Sequence, residues 1–410
     1  MNKIKTVICI VFVLSILPMN AKHVQPLFPC SPILDEPYGV CSHINRRETD
    51  YYVREADADL MKQCGAGYVR SGLEYSNFVP NKSGVLHPKY IDSMYITLRE
   101  RHLNSLSLVC GSGRKRPLTD TAWYSNYFTY IVKRYTRQIT YWEILNEVDM
   151  EKKVSDIPAK YAELLRISRD VTARIDTTDK IVFSGVCKIP EAFLREVAKY
   201  DVADCFDIMN FHSYASPENL PEQFSQLQQL MHEFGWNKPV WITECGMSTL
   251  KDKWHRPWWV HTEAEQAKRL PRIYLISMAY GIDKVFWYNS RAREANPYGN
   301  EEHFGLWHHD MSPKPAATAY ATLTTMCPTG STRPQLEIKN KAYMASWQRP
   351  DGSKVWAIWA TKTKTVDCSI KGVPQVVNHL GQPVSVKSTT SLTIGPELMY
   401  ITGAEMVELQ

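Results

Sequence analysis

Runs of apolar residues alternate with amphipathic segments from about residue 38 to residue 325. Eight such runs are YGVCSHI, GYVRSGLEYSNF, LNSLSLVCGS, ITYWEILNE, KIVFSGV, FDIMNFHSY, KPVWITECG and DKVFWYNS. They are near-continuously apolar, as strands buried on both faces of a parallel sheet should be. Between them, segments such as 161–175 and 221–236 carry an apolar stripe with helical spacing. The pattern therefore predicts repeated strand-then-helix units.

Eight of these units in about 290 residues match the number and size of a (β/α)8 barrel. We therefore predict an α/β fold, a TIM barrel over residues 22–327, in which 22–37 is an irregular lead-in. The alternative is an open, doubly wound sheet. That alternative is weakened because no glycine-rich phosphate-binding turn follows the first predicted strand.

The pattern changes after Pro328, where the segments become short and largely alternating, with turn residues between them. Alternation of this kind is typical of strands with one buried face, and Asp351-Gly352 marks a hairpin turn. Residues 331–410 are therefore predicted to form a small C-terminal β-sandwich, with the lead-in 22–37 running alongside it.

The N-terminus has the layout of a secretory signal peptide. Lys3 and Lys5 precede an apolar run from Val7 to Leu17, and small and polar residues follow. We predict that residues 1–21 are a signal peptide and that the protein is secreted or periplasmic, with an uncleaved membrane anchor as the alternative. No other segment is apolar over the length that a membrane span needs.

Composition narrows the classes of partner. The chain has 410 residues, 44% of them hydrophobic and 22% charged, and its net charge of +5 is not gathered into a basic block. A nucleic-acid partner is therefore not expected. The ten cysteines are scattered without a CxxC pair, which argues against a disulfide scaffold or a structural zinc site but leaves one or two bridges open.

Candidate chemistry is concentrated at the predicted C-terminal ends of the strands, where the catalytic groups of such barrels lie. The fourth run ends in Asn146-Glu147 and the seventh in Glu244, so two carboxylates are predicted at one mouth. Glycoside hydrolysis needs such a pair, one protonated to donate to the leaving oxygen and one ionised. The other residues at these ends that we predict to bind the substrate are Arg70, His212, Tyr214, Trp287 and Asn289.

Asn-Glu at the end of the fourth strand and Glu at the end of the seventh resemble the signature of clan A glycoside hydrolases, the retaining β-glycosidase superfamily. YWEILNE looks most like the fourth strand of glycoside hydrolase family 39, with family 5-like enzymes also similar. The resemblance implies that Glu147 is the acid/base and Glu244 the nucleophile. It further implies that Asn146 binds the sugar 2-hydroxyl, Tyr214 orients Glu244 and Trp287 forms the floor of the subsite.

Several of these residues have other readings. Glu143 is expected to be a buried partner of Arg70, because an unpaired buried charge would be costly. His212 could instead be a core histidine with satisfied hydrogen bonds. A metal cluster of His303, His308, His309 and Asp310 is disfavoured by its irregular spacing in a loop. A serine or cysteine nucleophile is disfavoured too, since no GxSxG turn exists and Cys245 lacks a paired base.

Three loops predicted at the catalytic mouth carry unusual side chains. Trp254, Trp258 and Trp307 offer flat faces suited to pyranose rings, although large aromatic residues also serve to pack long loops. The segment Arg114-Lys115-Arg116, with Arg256 and Arg291, would suit a uronate or sulfate group, or is simply solvated.

The sequence as a whole predicts a secreted retaining β-glycosidase that acts on oligo- or polysaccharides and needs no metal or cofactor. Two alternatives remain: a barrel that binds glycan without cleaving it, and a transglycosylase that uses the same covalent intermediate.

Overall fold

The computed structural model describes residues 21–46, 51–79, 86–110, 113–250, 261–296 and 299–410, with only the backbone at 51–52. The predicted signal peptide, Trp254, Trp258 and Arg256 therefore lie outside the described residues. Within the described residues, no helix combines the length and apolar character required to span a membrane.

The barrel strands pair in parallel as predicted. Their bounds are β2 Tyr38–Cys41, β3 Tyr68–Leu73, β4 Asn104–Val109, β5 Tyr141–Ile144, β6 Lys180–Val182, β7 Val186–Cys187, β8 Met209–Ser213, β9 Val240–Cys245 and β10 Ile282–Tyr288. The hydrogen-bonded order is β6-β5-β4-β3-β2-β10-β9-β8-β7.

The barrel closes through the interrupted strand formed by β6 and β7. Its first half pairs with β5 and its second half with β8, and a parallel bridge between Val182 and Ile208 also joins the first half to β8. The nine assigned strands thus fill eight barrel positions, and the prediction of a (β/α)8 barrel is confirmed.

Helices surround this barrel and bury their apolar stripes against it. Their bounds are α1 Tyr51–Gln63, α2 Tyr75–Phe78, α3 Lys89–Glu100, α4 Lys115–Thr119, α5 Thr121–Tyr135, α6 Ile157–Ile175, α7 Glu191–Ala198, α8 Leu220–Phe234, α9 Glu263–Ala279 and α10 Pro315–Met326. The predicted stripe of α8 is observed, since Phe224, Leu227 and Leu230 are buried. Gly235 ends this helix in the left-handed conformation that glycine favours.

The C-terminal module is an antiparallel sheet of seven strands that includes a strand from the lead-in. Its strands are β1 Lys22–His23, β11 Gln335–Lys339, β12 Ala342–Gln348, β13 Lys354–Ala360, β14 Lys364–Asn378, β15 Ser391–Ile394 and β16 Met399–Leu409. β1 forms one edge, beside β11. Ile358, Ile401 and their neighbours form the module's own core, whereas Trp347, Trp359 and Tyr400 belong to the core that is continuous with the barrel. A sheet with two covered faces agrees with the predicted β-sandwich.

Arg333 connects the module to the barrel. Its guanidinium donates to the carbonyl oxygens of Ser31, Met278 and Ile282 at 2.8–2.9 Å, and to Asp283 Oδ1 at 2.7 Å. Since Arg333 is only 8% exposed, these bonds are shielded from water. The lead-in, the barrel and the module thus share one buried cation.

Three sequence expectations are corrected in detail. The second predicted strand ends at Leu73, and residues 75–78 of the same run form the short helix α2. Residues 385–394 are one of the alternating segments predicted to be extended after Pro328, and only Ser391–Ile394 of them form a strand. Every cysteine in the described part of the chain is free, so the disulfides left open by the sequence are not formed there.

Candidate active site

Polar side chains from the C-terminal ends of β3, β5, β8 and β9 meet beside a cavity of about 920 Å³. Asn146, Glu147, Tyr214, Glu244 and Arg70 line this cavity. Because all these strands are parallel, their C-terminal ends open on the same rim, as the sequence predicted for the mouth of a barrel. The predicted candidates at these ends are therefore neighbours in space.

Arg70 hydrogen-bonds three of the polar side chains at the site. Its Nε and Nη2 donate to both oxygens of Glu143 at 2.6 and 2.9 Å, and its Nη1 donates to Glu244 Oε1 at 2.6 Å. Nη2 also donates to Asn146 Oδ1 at 2.8 Å, which leaves the Asn146 amide nitrogen as the donor of that side chain. Glu143 is fully buried, so the expectation that it pairs with Arg70 is confirmed.

The two carboxyl groups of interest approach each other around His212. His212 Nδ1 lies 3.1 Å from Glu147 Oε1 and 3.5 Å from Glu244 Oε2. One oxygen of each carboxyl group and a nitrogen of His212 all lie within 4.8 Å of one another. The carboxyl groups are thus close enough to act on a single atom placed between them.

Glu244 is 7% exposed and is held as an ionised group. Burial would raise its pKa, but the charges of His212 and Arg70 and a hydrogen bond from Tyr214 outweigh burial and lower the pKa below its usual value. The Tyr214 hydroxyl donates to Glu244 Oε2 at 2.7 Å. An ionised carboxylate with both oxygens held in place is suited to nucleophilic attack.

The surroundings of Glu147 also favour its ionised form. Burial would raise its pKa, but hydrogen bonds from His212 and Cys187, together with the charges of His212 and Arg114, lower it to about 2. An ionised carboxyl group has the form that a general base needs, whereas a general acid has to carry a proton.

His212 lies against Glu147, and its hydrogen bonds indicate which ring nitrogen faces the carboxyl group. Thr243 Oγ1 donates to Asn210 Oδ1 at 2.8 Å, and it therefore accepts from His212 Nε2 at 3.2 Å. A weaker contact from Arg70 Nη2 to the same nitrogen, at 3.5 Å, opposes this assignment, but it is the longer of the two. His212 Nε2 is thus the donor to Thr243, and Nδ1 is the nitrogen that faces Glu147.

Gly185 makes room for the imidazole. A Cβ atom at this position, in the break between β6 and β7, would lie 2.0 Å from His212 Nε2. The backbone of Gly185 also donates to Glu143 Oε1 at 3.1 Å and accepts from the Glu147 amide at 3.0 Å. Any side chain here would displace the ring that lies between the two carboxyl groups.

Glu147, His212 and Glu244 are also the only group of potential metal ligands that the described residues bring together. However, Arg70 Nη1 lies 2.6 Å from Glu244 Oε1, so a cation bound there would face a guanidinium group. Like charges at this distance disfavour a metal site. The His303, His308, His309 and Asp310 set does not converge among the described residues, because His308 instead lies between Glu294 and Glu263 at 2.7 and 3.3 Å.

Three predicted binding residues lie away from the cavity. Trp287 is fully buried and points outward into the layer between strands and helices, whereas its neighbour Tyr288 points inward and lines the cavity. Trp307 is 1% exposed and its indole donates to Asp57 Oδ1 at 2.9 Å, so it offers no face to a sugar. Asn289 is 2% exposed and does not line the cavity. Strand alternation makes Tyr288, not Trp287, the aromatic side chain at the site.

The basic segment 114–116 does not line the cavity either. The Arg116 guanidinium lies 4.1 Å from the Trp123 ring centroid, and Arg291 donates to the His309 carbonyl at 2.8 Å. Arg114 binds backbone carbonyl groups next to the site. The arginines that line the cavity besides Arg70 are Arg46, Arg269 and Arg293.

Sequence reasoning missed several residues that shape the site. Thr243 precedes Glu244 in a strand whose sequence indicates only a buried position. Glu301 lies in a connecting segment that contains no recognisable motif. Glu301 hydrogen-bonds Tyr288, and burial together with Glu244 and Glu147 raises its pKa. Gly185 did carry a signal, because a glycine inside a strand pattern often marks a close approach.

Solved glycosidase structures share this fold. A family 39 glycoside hydrolase from the gut symbiont Bacteroides cellulosilyticus WH2 superimposes with a TM-score of 0.74 at 20% identity, over 90% of this chain and 81% of that one. A monomeric beta-xylosidase from Caulobacter crescentus CB15 gives 0.64 at 13% identity, over 91% and 97%. A family 30 subfamily 8 xylanase from Clostridium acetobutylicum gives 0.60 at 12% identity, over 93% and 99%. No protein-family model and no curated protein sequence matches the chain.

Proposed function

We propose that the protein is a glycoside hydrolase that cleaves β-glycosidic bonds with retention of configuration. The observation that carries the proposal is the pair Glu147 and Glu244, whose nearest oxygens lie within 4.8 Å of each other beside a cavity lined largely by polar residues. Retaining enzymes need carboxyl groups about 5–5.5 Å apart, whereas inverting enzymes need roughly 6.5–9.5 Å to admit a water molecule. The shared fold with known glycosidases raises the prior for this chemistry.

In the first step Glu244 attacks the anomeric carbon while the leaving oxygen takes a proton from Glu147. Arg70 and Tyr214 keep Glu244 ionised and aimed, and His212 Nδ1 contacts Glu147. In the second step Glu147, again a carboxylate, accepts a proton from the water that attacks the glycosyl-enzyme. The depressed pKa keeps Glu147 in the carboxylate form that this second step requires.

The sugar would be bound by the cavity wall. The Asn146 amide nitrogen would donate to the 2-hydroxyl, and Tyr288, which lines the cavity, would offer an aromatic face in place of the predicted Trp287. Since charged residues of both signs line the cavity, the substrate class is a hydrophilic oligo- or polysaccharide. We further propose, from the signal-like residues 1–21, that the protein acts outside the cytoplasm.

The test assigns the two carboxyl groups separately, with a panel of aryl β-glycosides. Glu147→Ala should slow substrates with poor leaving groups by about 10²–10⁴-fold, because general acid catalysis is lost. With an activated aryl leaving group it should form the glycosyl-enzyme and stall, and azide should release a β-glycosyl azide. Glu244→Ala with azide should give the α-product, because the anion takes the place of the nucleophile.

Glu301→Gln is the comparison variant, because it changes a carboxyl group that lines the same cavity and bonds Tyr288 but has neither predicted role; it should leave the dependence of the rate on the leaving group unchanged. Reversed anomers would exchange the two roles. An inverted sugar from the wild-type protein would exclude the retaining mechanism. Glycan binding without turnover on any substrate would indicate a non-catalytic barrel, and glycosyl transfer in preference to hydrolysis would indicate a transglycosylase.

A further inference from the structure

Arg114 binds the backbone of Asn146 and Glu147, which follow the end of β5. Its Nη1 donates to the carbonyl oxygen of Asn146 at 3.0 Å and to that of Glu147 at 3.1 Å. Its Nε also lies 3.9 Å from Glu151 Oε2. One guanidinium group, from the loop after β4, thus satisfies two successive carbonyl groups at the site.

The segment that Arg114 holds has an unusual backbone. Leu145 has φ of 62° and Glu147 has φ of 45°, both in the left-handed region that residues other than glycine rarely adopt. Such conformations persist only where surrounding contacts over-determine them. The Leu145 amide donates to the Val109 carbonyl at 3.2 Å and the Glu147 amide to the Gly185 carbonyl at 3.0 Å. Arg114 adds hydrogen bonds to the carbonyl groups of Asn146 and Glu147, so both amide and carbonyl groups of this segment are held.

We propose that Arg114 is a positioning residue that fixes the direction of the Glu147 carboxyl group through its backbone. The inference rests on the proposed function, because it assigns Glu147 the acid/base role. Arg114 does not line the cavity, so it acts through Glu147 and not on the sugar. Its charge also helps to lower the pKa of Glu147.

Neighbouring basic residues supply matched controls. Lys115 is exposed, and its ammonium group has no hydrogen-bond or ion-pair partner among the described residues. Arg116 lies over the Trp123 ring instead of the β5 end. Arg114→Ala, Arg114→Lys and Lys115→Ala therefore remove, weaken and spare the contact to the two carbonyl groups while each changes the same loop.

The test measures kcat/KM on aryl β-glycosides that differ only in leaving-group acidity. Misplacement of a catalytic group by an ångström can reduce a rate by about 10²-fold. Arg114→Ala should show a loss of about that size on poor leaving groups and little loss on the most activated one. Added guanidinium ion should restore part of the rate to Arg114→Ala, and Lys115→Ala should match wild type on every substrate.

A loss that is equal for all leaving groups, or no loss, would overturn the proposal, because a merely structural role does not discriminate between them. If Arg114→Ala fails to fold, Arg114→Gln carries the same test, since it still donates one N–H to the turn. Glu147→Ala is measured in parallel: if it too lacks leaving-group dependence, the proposed function fails. If Glu147→Ala has the dependence and the Arg114 variants lack it, only the positioning role fails.

Discussion

Three carboxyl groups and one guanidinium group share the base of the cavity, and His212 lies between two of those carboxyl groups. Arg70 binds Glu143 and Glu244 directly, which leaves Glu147 to be balanced by His212. The charge state of each side chain here is therefore a property of the group as a whole.

Replacing His212 by glutamine should raise the pKa of Glu147, because a hydrogen bond and a charge that lower it are removed. In the wild type the lowered pKa keeps Glu147 ionised down to low pH. In the variant the pKa is higher, so Glu147 becomes protonated, and loses its function as a base, at a higher pH than in the wild type. The readout is the acidic limb of the pH profile of kcat on an activated aryl glycoside, for which the second step limits turnover.

His232→Gln, on α8 and away from the site, is the control for this measurement. An acidic limb that stays at the wild-type pH in His212→Gln would contradict the account, and Glu147 would then owe its ionisation to Arg114 and Cys187.

At the residue scale, the sequence predicted correctly which strand ends carry polar side chains at the cavity. It did not predict which of two adjacent residues in a strand points inward. Asn146, Glu147, Tyr214 and Glu244 all reach the cavity as expected. Trp287 failed because the one-residue step to Tyr288 reverses the face of the strand. No pattern in a single sequence fixes that register.

Elements with strong periodicity or caps were the most predictable. The apolar runs and helical stripes were found within a few residues of their observed bounds, because burial on both faces of a barrel strand leaves a continuous signal. The C-terminal strands were harder, since β14 runs for 15 residues through bulges that no alternation announces.

The N-terminus of α9 offers a test at the scale of one element. Thr262 and Glu265 form a capping box, with the Thr262 Oγ1 accepting from the Glu265 amide at 3.1 Å and Glu265 Oε2 accepting from the Thr262 amide at 3.0 Å. Thr262→Ala should lower the free energy of unfolding by about 1 kcal/mol, as urea denaturation would measure. Ser225→Ala, at an exposed position of α8, is the control. An equal loss of stability in both variants would contradict the prediction that the capping box stabilises α9.

At the scale of the whole molecule, the C-terminal module should stabilise the barrel without supplying catalytic groups. Deleting residues 331–410 uncovers the surface against which Trp347, Trp359 and Tyr400 pack, and it removes the donor to Met278, Ile282 and Asp283. We expect aggregation or a markedly lower melting temperature, measured by calorimetry. A truncated protein of unchanged heat resistance would contradict this.

Arg333→Met gives a graded version of the same prediction. It leaves buried carbonyl groups without their donor, which should cost about 1–3 kcal/mol of the free energy of unfolding. Lys371→Met, at an exposed position of β14, should lower the free energy of unfolding much less.

The pairing of β1 with β11 also governs the order in which the chain can fold. Lys22 pairs with Ile338, so this edge of the sheet joins segments from opposite ends of the sequence. At a synthesis rate of about 5–20 residues per second, Lys22 would leave the ribosome roughly 15 to 60 s before its partner. Contacts of such high sequence separation form late, since loop closure has to precede any gain from pairing. The barrel can therefore assemble before β1 docks, because β1 has to wait until β11 has been synthesised.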